Sequence, residues 1–269
     1  MEITYKRDIE NLEIQYKSSN IVRAENKRSV PYSKTGWKKF YPIDENKFVK
    51  NYGQTVETKL MLINNNEIYT GTVNIQNKKH GYGISTLKNG TKYTGYWEEN
   101  HFEGWGETID SDGNIFHGLF IQGTLNGKGE KFSINGNYYE GEFMDGLRCG
   151  QGHEETKEHV YDGNYDNDKK NRKGKLVYKN LKDSYEGEFL DNNITGKGEY
   201  KWANGDKFVG DFINGKMDGK GFYKWPDGGE YEGSYVNNIK EGTGKFKWSN
   251  GKVFEGPFDE GKIFILFIN

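Results

Sequence analysis

The sequence has very little alanine and cysteine and no long apolar run. Among 269 residues alanine occurs only at Ala24 and Ala203, which argues against a helical bundle because alanine is the best helix former. The single cysteine, Cys149, cannot form an internal disulfide. The longest apolar run, Ile263–Ile268, falls far short of the ~20 residues that span a bilayer. No apolar signal region follows Met1, so we expect a soluble, cytoplasmic protein.

Glycine and aromatic residues are abundant instead. The chain has 37 glycines and 15% Phe, Trp and Tyr, with a formal net charge of −2 and a mean hydropathy of −0.98. This composition favours strands over helices. It also provides too little aliphatic area for a thick two-sheet sandwich. We therefore predict an all-β protein with a thin aromatic core.

An aromatic-x-Gly-x-aromatic pattern recurs nine times at spacings of 22 to 24 residues, with Val73 replacing the second ring in the first unit. The central glycines are Gly71, Gly95, Gly118, Gly141, Gly163, Gly187, Gly210, Gly233 and Gly256. Self-similarity at such a period indicates a stacked repeat architecture. In this arrangement each repeat contacts only its neighbours.

Seven units also contain a Gly-x-Gly motif, and in six of them an Asn-Gly or Asp-Gly turn pair follows it, whereas the fifth unit keeps only Gly174. The turn pairs include Asn204-Gly205 and Asp227-Gly228, which are typical of type I′ turns because both central residues need a positive φ. We therefore predict that every repeat is a β-hairpin. The segment Asp166–Lys173 reads as an enlarged loop in the fifth unit.

The period of two assigns the faces of these strands. Tyr200 and Trp202 share a face with the first glycines of their strand, and Phe208 and Phe212 share a face with Gly210. Their sequence neighbours are mostly charged. Because glycine inside a strand normally marks a close approach, we expect a ring from the next strand to lie over each bare backbone.

Units six to eight carry the most regular pattern, as in Tyr185-x-Gly187-x-Phe189, Gly196-x-Gly198 and Asn204-Gly205. This pattern resembles the MORN repeat. The resemblance implies an elongated, twisted, single-layer antiparallel sheet of about nine stacked hairpins over residues 57–269, used as a protein-interaction scaffold. Residues 1–56 lie outside the pattern and carry 11 basic and 7 acidic residues, so we read them as a partly irregular, basic N-terminal arm.

Enzymatic motifs are scarce, and we predict no catalytic residue, no metal ligand and no cofactor. Gly210–Met217 mimics a phosphate-binding loop but lacks its final Ser/Thr. His153 and His159 flank glutamates that could ligate a metal, and we favour a solvated, charged hairpin over a metal site. The prediction is a non-enzymatic protein.

A single-layer sheet leaves part of its aromatic face available to a ligand. We therefore predict a groove for an extended or helical partner segment in units six to eight. Its residues are Tyr200, Trp202, Phe212, Tyr223, Trp225, Tyr235 and Trp248. The C-terminal run has high β propensity and no charge, the profile of a segment that pairs with another strand. Its predicted edge-pairing residues are Ile263, Phe264, Ile265, Leu266, Phe267 and Ile268.

MORN arrays are prominent in cilia, including radial-spoke heads, and in protist cytoskeletons. The resemblance therefore implies protein partners in a large cytoskeletal or axonemal assembly, with self-association through the sheet ends. No nucleic-acid partner is expected. Family members also associate with membranes and phospholipids, so a peripheral membrane organiser is the alternative, although the acidic array favours only weak lipid binding. A regulatory array on an enzyme is a third alternative, and no catalytic constellation stands out here.

Overall fold

The structure is a computed structural model that describes residues 57–63 and 66–264. The chain consists of two structural units, Met1–Gly113 and Asn114–Asn269. None of the described residues forms a helix with the length and apolar character that a membrane span requires. The predicted N-terminal arm, residues 1–56, lies outside the described residues, so its boundary stays a prediction.

The described part of the first unit contains five strands. They are β1 (Glu57–Ile63), β2 (Glu67–Val73), β3 (Lys79–Leu87), β4 (Lys92–Glu98) and β5 (His101–Ile109). Each strand pairs antiparallel with the next one along the chain. Because every connection is local, the unit is an open antiparallel meander.

The second unit follows the same scheme, with fourteen strands between residues 114 and 264. They are β6 (Ile115–Ile121), β7 (Thr124–Phe132), β8 (Tyr138–Met144), β9 (Leu147–Glu155), β10 (His159–Asp166), β11 (Lys169–Tyr178), β12 (Ser184–Leu190), β13 (Asn193–Lys201), β14 (Lys207–Ile213), β15 (Lys216–Lys224), β16 (Glu230–Val236), β17 (Ile239–Lys247), β18 (Val253–Asp259) and β19 (Lys262–Ile263). Consecutive strands again pair antiparallel. The all-β prediction and the nine hairpins, from β2–β3 to β18–β19, are confirmed.

The turn inside most repeats is a two-residue connection with positive φ at both residues. Asp191 and Asn192 have φ values of 49° and 71°, and Asn214 and Gly215 have 49° and 77°. This is the signature of the type I′ hairpin, which suits the right-handed twist of the flanking strands. The sequence analysis did not identify these pairs, because many of them lack the Asn-Gly or Asp-Gly signal.

The six predicted turn pairs, which include Asn204-Gly205 and Asp227-Gly228, form a different turn, and the type I′ prediction was wrong for them. In Asn204-Gly205 only the glycine has a positive φ, 93°. The Gly205 amide donates to the carbonyl of Trp202, and the Trp202 amide donates to the carbonyl of Asp206, both at 3.0 Å. This is a three-residue loop with a type I turn and a left-handed glycine. Asn204 is suited to it because its Oδ1 accepts the Asp206 amide at 3.0 Å.

Each hairpin of the second unit that contains a full Gly-x-Gly motif also has a bulge there. In β12–β13 the register runs from Gly187 opposite Gly198 to Glu188 opposite Thr195, and Gly196 has a φ of 58°. In the fifth unit Arg172 takes the equivalent position with a φ of 56°. The predicted enlarged loop is absent, because the chain turns at Asn167-Asp168 and β11 begins at Lys169.

The core lies on one face of the strands, where large rings cover bare glycines. Tyr185 is fully buried, and a Cβ atom built on Gly198 would lie 2.4 Å from its ring. Its hydroxyl donates to the carbonyl of Glu188 at 3.1 Å. A hydrogen bond from the tyrosine hydroxyl to the backbone carbonyl three residues later also occurs at Tyr69, Tyr93, Tyr139, Tyr161 and Tyr231. Rings lie over bare glycines as expected, but the expected strand was wrong: Tyr185 covers Gly187 of its own strand and Gly198 of the following one, so Gly198 is covered from the preceding strand.

Candidate functional site

The aromatic face of the second unit carries an inner row of buried rings. Tyr185, Phe189 and Phe212 meet edge to face at centroid distances of 5.2 to 5.3 Å. The inner row continues by further edge-to-face contacts through Phe208, Tyr235, Tyr231 and Phe258. Such edge-to-face pairs stabilise beyond the area that they bury. The inner row is therefore the core that holds neighbouring repeats together.

Two of the seven predicted groove residues belong to this inner row. Phe212 and Tyr235 are each only 3% exposed. Both lie in the same sequence alternation as the surface rings, so sequence alone assigns them the face but not the depth. Of the predicted groove, only the other five rings reach the surface, and their role in binding stays a prediction.

A second row of rings follows the ends of β13, β15 and β17, and we call it the aromatic ladder. Its members are Tyr200, Trp202, Tyr223, Trp225, Phe246 and Trp248. Within each repeat the two ring centroids are 4.5 to 4.8 Å apart. Between repeats the distances are 5.3 and 5.4 Å. The ladder is thus continuous over three repeats.

The ladder is only partly covered. Its first five rings are half-buried, and Trp248 is 37% exposed. Phe246 was missed by the sequence analysis, although it lies in the same repeat position as Tyr200 and Tyr223. That shared position was the signal that could have identified it.

Two aspartates accept hydrogen bonds from tyrosines of the ladder. Tyr200 donates its hydroxyl hydrogen bond to Oδ2 of Asp183 at 3.0 Å, and Tyr223 donates to Oδ2 of Asp206 at 2.8 Å. Burial, and then these carboxylates, raise the pKa of both tyrosines well above the ordinary value. The tyrosines therefore stay neutral and oriented, and one side of the ladder carries acidic side chains.

A lysine also contacts the ladder. The Nζ atom of Lys240 is 4.6 Å from the ring centroid of Trp225 and 4.9 Å from that of Phe246. Burial lowers the pKa of this ammonium group. The contact is a cation–π interaction that holds two ladder rings against the core.

The opposite face of the same strands forms a broad groove with a volume of about 950 Å³. Its floor includes the bare backbone of Gly210 and Gly221, and Phe222 is the one aromatic side chain among its lining residues. Charged residues surround it, including Glu186, Lys220 and Glu232. This face matches the predicted charged face, and its acids and bases alternate without a single dominant sign.

No group of three or more His, Cys, Asp or Glu side chains within 57–63 and 66–264 is arranged to hold a metal ion. The two candidate histidines pair with different acids. His153 contacts Asp162 at 2.6 Å, and His159 contacts Glu154 at 3.0 Å. Burial raises the pKa of the Cys149 thiol, which opposes its use as a nucleophile.

The predicted edge segment is described only at its start. Ile263 pairs with Phe258 of β18, and the Phe264 amide donates to the carbonyl of Pro257 at 2.9 Å. Ile265, Leu266, Phe267 and Ile268 lie outside the described residues. Pairing of this segment with a partner therefore stays a prediction.

Comparison with known proteins identifies the repeat. The family model for the MORN repeat matches residues 69–92, 139–155, 161–181, 185–207, 208–230 and 231–253. The chain therefore contains six MORN repeats that the model recognises, including the irregular fifth unit. MORN repeats are typical of non-enzymatic protein-binding scaffolds.

A search of curated protein sequences finds no match. Among solved structures, the TCP domain of SAS-4 (dCPAP) from Drosophila melanogaster, in complex with a proline-rich motif of Ana2 (dSTIL), is 14% identical. The match has a TM-score of 0.36 and covers 58% of this chain and 85% of that chain. The TCP10 domain of Danio rerio CPAP is 10% identical, with a TM-score of 0.41, and covers 74% and 94%. With TM-scores this low, neither likeness bears on what this chain binds.

Proposed function

We propose that the protein is a non-enzymatic scaffold of a microtubule-based cytoskeletal assembly, the ciliary axoneme in particular, and that it binds a segment of a partner protein along the aromatic ladder. The observation that carries this proposal is that the ladder is not required by the fold. The inner row continues through every hairpin from β8–β9 to β18–β19. Among the described residues the ladder extends over three repeats only.

The register shows what replaces the ladder elsewhere. Tyr200 lies opposite Tyr185, and the corresponding residue opposite Tyr139 is Glu154. In the fifth repeat the corresponding residue, which lies opposite Tyr161, is Leu176. A charged residue and an aliphatic one are thus tolerated at this position, so six consecutive rings are not a folding requirement. Partly exposed Tyr and Trp side chains are also enriched where proteins bind one another.

Binding is tested by a matched pair of variants in one strand. Trp225 lies on the ladder just beyond β15, and Phe222 lies on the opposite face of β15. We expect Trp225→Ala to lose co-purification of the partner from ciliated cells, since truncating a central ring typically costs ~2 kcal/mol or more of binding. Phe222→Ala should keep it. Unchanged co-purification by folded Trp225→Ala would contradict the ladder as the binding site.

The location is tested separately with a tagged chain and detergent extraction. We expect the tagged protein to remain with the insoluble microtubule fraction. Extraction with the detergent would instead support the membrane organiser. The basic side chains near the fifth unit give that alternative little support, because Lys169 and Lys170 form ion pairs with Asp191 and Glu154. Liposome flotation at physiological salt should accordingly show at most weak binding.

Self-association through the C-terminal edge completes the proposal. An unpaired apolar edge strand is an aggregation hazard, so a native protein covers it. Deleting 262–269 should leave a folded array that co-assembles less, as measured by analytical ultracentrifugation. Equal assembly of the truncated and full chains would show that the tail is only the last strand of the array.

A further inference from the structure

The aromatic ladder has a fixed pitch. One tryptophan lies directly after each of β13, β15 and β17, namely Trp202, Trp225 and Trp248. These strands are two apart in the sheet, and neighbouring strands lie about 4.8 Å apart. Equivalent rings therefore recur about every 9.6 Å along the ladder. The alternating centroid distances of 4.6 Å from Tyr223 to Trp225 and 5.4 Å from Trp225 to Phe246 agree with this pitch.

A polyproline II segment has nearly the same pitch. It contains three residues per turn with a rise of 3.1 Å, so one edge repeats about every 9.3 Å. The mismatch with the ladder is about 0.3 Å per repeat. An α-helix presents equivalent residues every seven positions, about 10.5 Å, and loses register by about 0.9 Å per repeat. Over three repeats the extended left-handed helix fits better.

The ladder also offers the hydrogen bonds that such a segment needs. The indole N–H groups of Trp202, Trp225 and Trp248 donate to no acceptor within the described part of the chain. A polyproline II backbone makes no internal hydrogen bonds, so its carbonyl groups remain free to accept. Proline rings can then pack between the ladder rings while the indoles bind the backbone.

Acidic side chains beside the ladder indicate which residues the ligand should carry between its prolines. Asp183 and Asp206 each contact a ladder tyrosine, and they precede β12 and β14, two strands apart. Their carboxylates therefore recur at the same pitch of about 9.6 Å. A basic side chain at every third position of the ligand can lie beside both. Arginine suits these positions because its guanidinium pairs with a carboxylate in a planar geometry.

We propose that the aromatic ladder binds a partner segment in the polyproline II conformation, with proline at every third position and basic residues facing Asp183 and Asp206. The proposal rests on the proposed function, since it names the class of partner for the same surface.

The test compares two peptides with the full chain. One is a fluorescein-labelled peptide of about four Pro-Ala-Arg triplets, roughly 37 Å long as polyproline II. The other has the same composition rearranged so that no proline or arginine keeps the three-residue period. Fluorescence anisotropy should show at least about tenfold tighter binding of the periodic peptide, corresponding to ~1.4 kcal/mol. A third peptide, an amphipathic helix with aromatic residues, tests the helical alternative.

Variants identify the surface. Trp225→Ala should weaken the periodic peptide about 30-fold, the fold-change that corresponds to ~2 kcal/mol. Asp206→Asn should weaken it severalfold and reduce the salt dependence. Phe222→Ala should bind as the wild type does. Circular dichroism and the thermal midpoint verify that each variant is folded.

Four results would overturn the proposal. They are equal affinity for the two proline peptides, no binding of either, tighter binding of the helical peptide, and Trp225-dependent self-association in place of peptide binding. In each case loss of partner co-purification by Trp225→Ala would leave the scaffold function standing. If Trp225→Ala changes neither the peptide affinity nor the co-purification, both proposals fail.

Discussion

The ring of Tyr185 lies against the backbone of Gly198 on the facing strand so closely that a Cβ atom there would be 2.4 Å from the ring. Alanine in place of glycine normally stabilises a compatible site by reducing the entropy of the unfolded chain. Here the opposite is expected, because the ring cannot move without breaking its bond to the Glu188 carbonyl. Gly198→Ala should lower the free energy of unfolding by about 3 kcal/mol, measured by urea titration.

The neighbouring residue provides the control for that prediction. Lys197 points to the opposite face and is highly exposed. Lys197→Ala should therefore change the free energy of unfolding by no more than about 0.5 kcal/mol. Similar effects of the two substitutions would contradict the close packing of ring and glycine.

Much of the fold could be predicted from the sequence because the same packing requirement occurs in every repeat. Paired glycines next to large rings require that a ring cover a bare backbone, and that requirement fixes both the face and the hairpin. The match of Gly187 with Gly198 across β12–β13 follows from it. Because the pattern occurs nine times in sequence, few other architectures are compatible with it.

The details that sequence did not predict depend on neighbouring strands. Asn204-Gly205 has the composition of a type I′ turn, but the hydrogen bond between Trp202 and Asp206 sets a three-residue loop. Similarly, Phe212 and Trp202 share a face, yet Phe212 is buried against Tyr185 and Phe208, whereas Trp202 is only half-buried. Burial depth is thus a property of the assembled sheet and not of the local pattern.

Two tyrosines of the inner row differ in whether their hydroxyl has a partner. The Tyr185 hydroxyl donates to a backbone carbonyl, whereas the buried Tyr235 hydroxyl has no partner among the described residues. Tyr185→Phe should therefore cost about 1 kcal/mol of unfolding free energy. Tyr235→Phe should be neutral or stabilising by about 1 kcal/mol, because it removes an unsatisfied buried polar group.

Phenylalanine is already accepted at both positions in other repeats. Phe208 occupies the position of Tyr185 in the next repeat, and Phe212 occupies that of Tyr235. Paired thermal or urea denaturation of the two variants is the measurement. A loss at Tyr235 as large as the loss at Tyr185 would show that its hydroxyl has an acceptor.

The fifth repeat stores backbone strain at Arg172. Its φ of 56° is equivalent to the φ of 58° at Gly196, and a side chain in this region costs roughly 1 kcal/mol. Arg172→Gly should therefore raise the free energy of unfolding by up to about 1 kcal/mol, despite the greater flexibility of glycine in the unfolded chain. Lys173→Gly, one residue along in β11, should lower it. If both substitutions destabilise equally, Arg172 is not strained.

Glu154 is the acidic centre of an ionic cluster on the core side of β9, β10 and β11. Its carboxylate contacts Nη1 of Arg148 and Nζ of Lys170, each at 2.6 Å, and Nε2 of His159 at 3.0 Å. Burial alone raises the pKa of this carboxyl group, but the bonds to Lys170 and His159 outweigh burial and lower the pKa to about 2. The charged form is thus favoured in the folded state.

A carboxyl group with a lowered pKa stabilises the fold only while it is ionised. Glu154 should contribute about 2 kcal/mol above pH ~5, where the group is ionised in both states, and lose this contribution as the pH falls toward ~2. Glu154→Gln should therefore be destabilised at pH 7, because it removes the carboxylate partner of Lys170 and leaves Arg148 with Asp168 alone. The difference from the wild type should shrink in urea titrations as the pH falls from about 5 to about 3. A difference that stays constant over this range would show that Glu154 acts by packing, because packing does not depend on ionisation of the carboxylate.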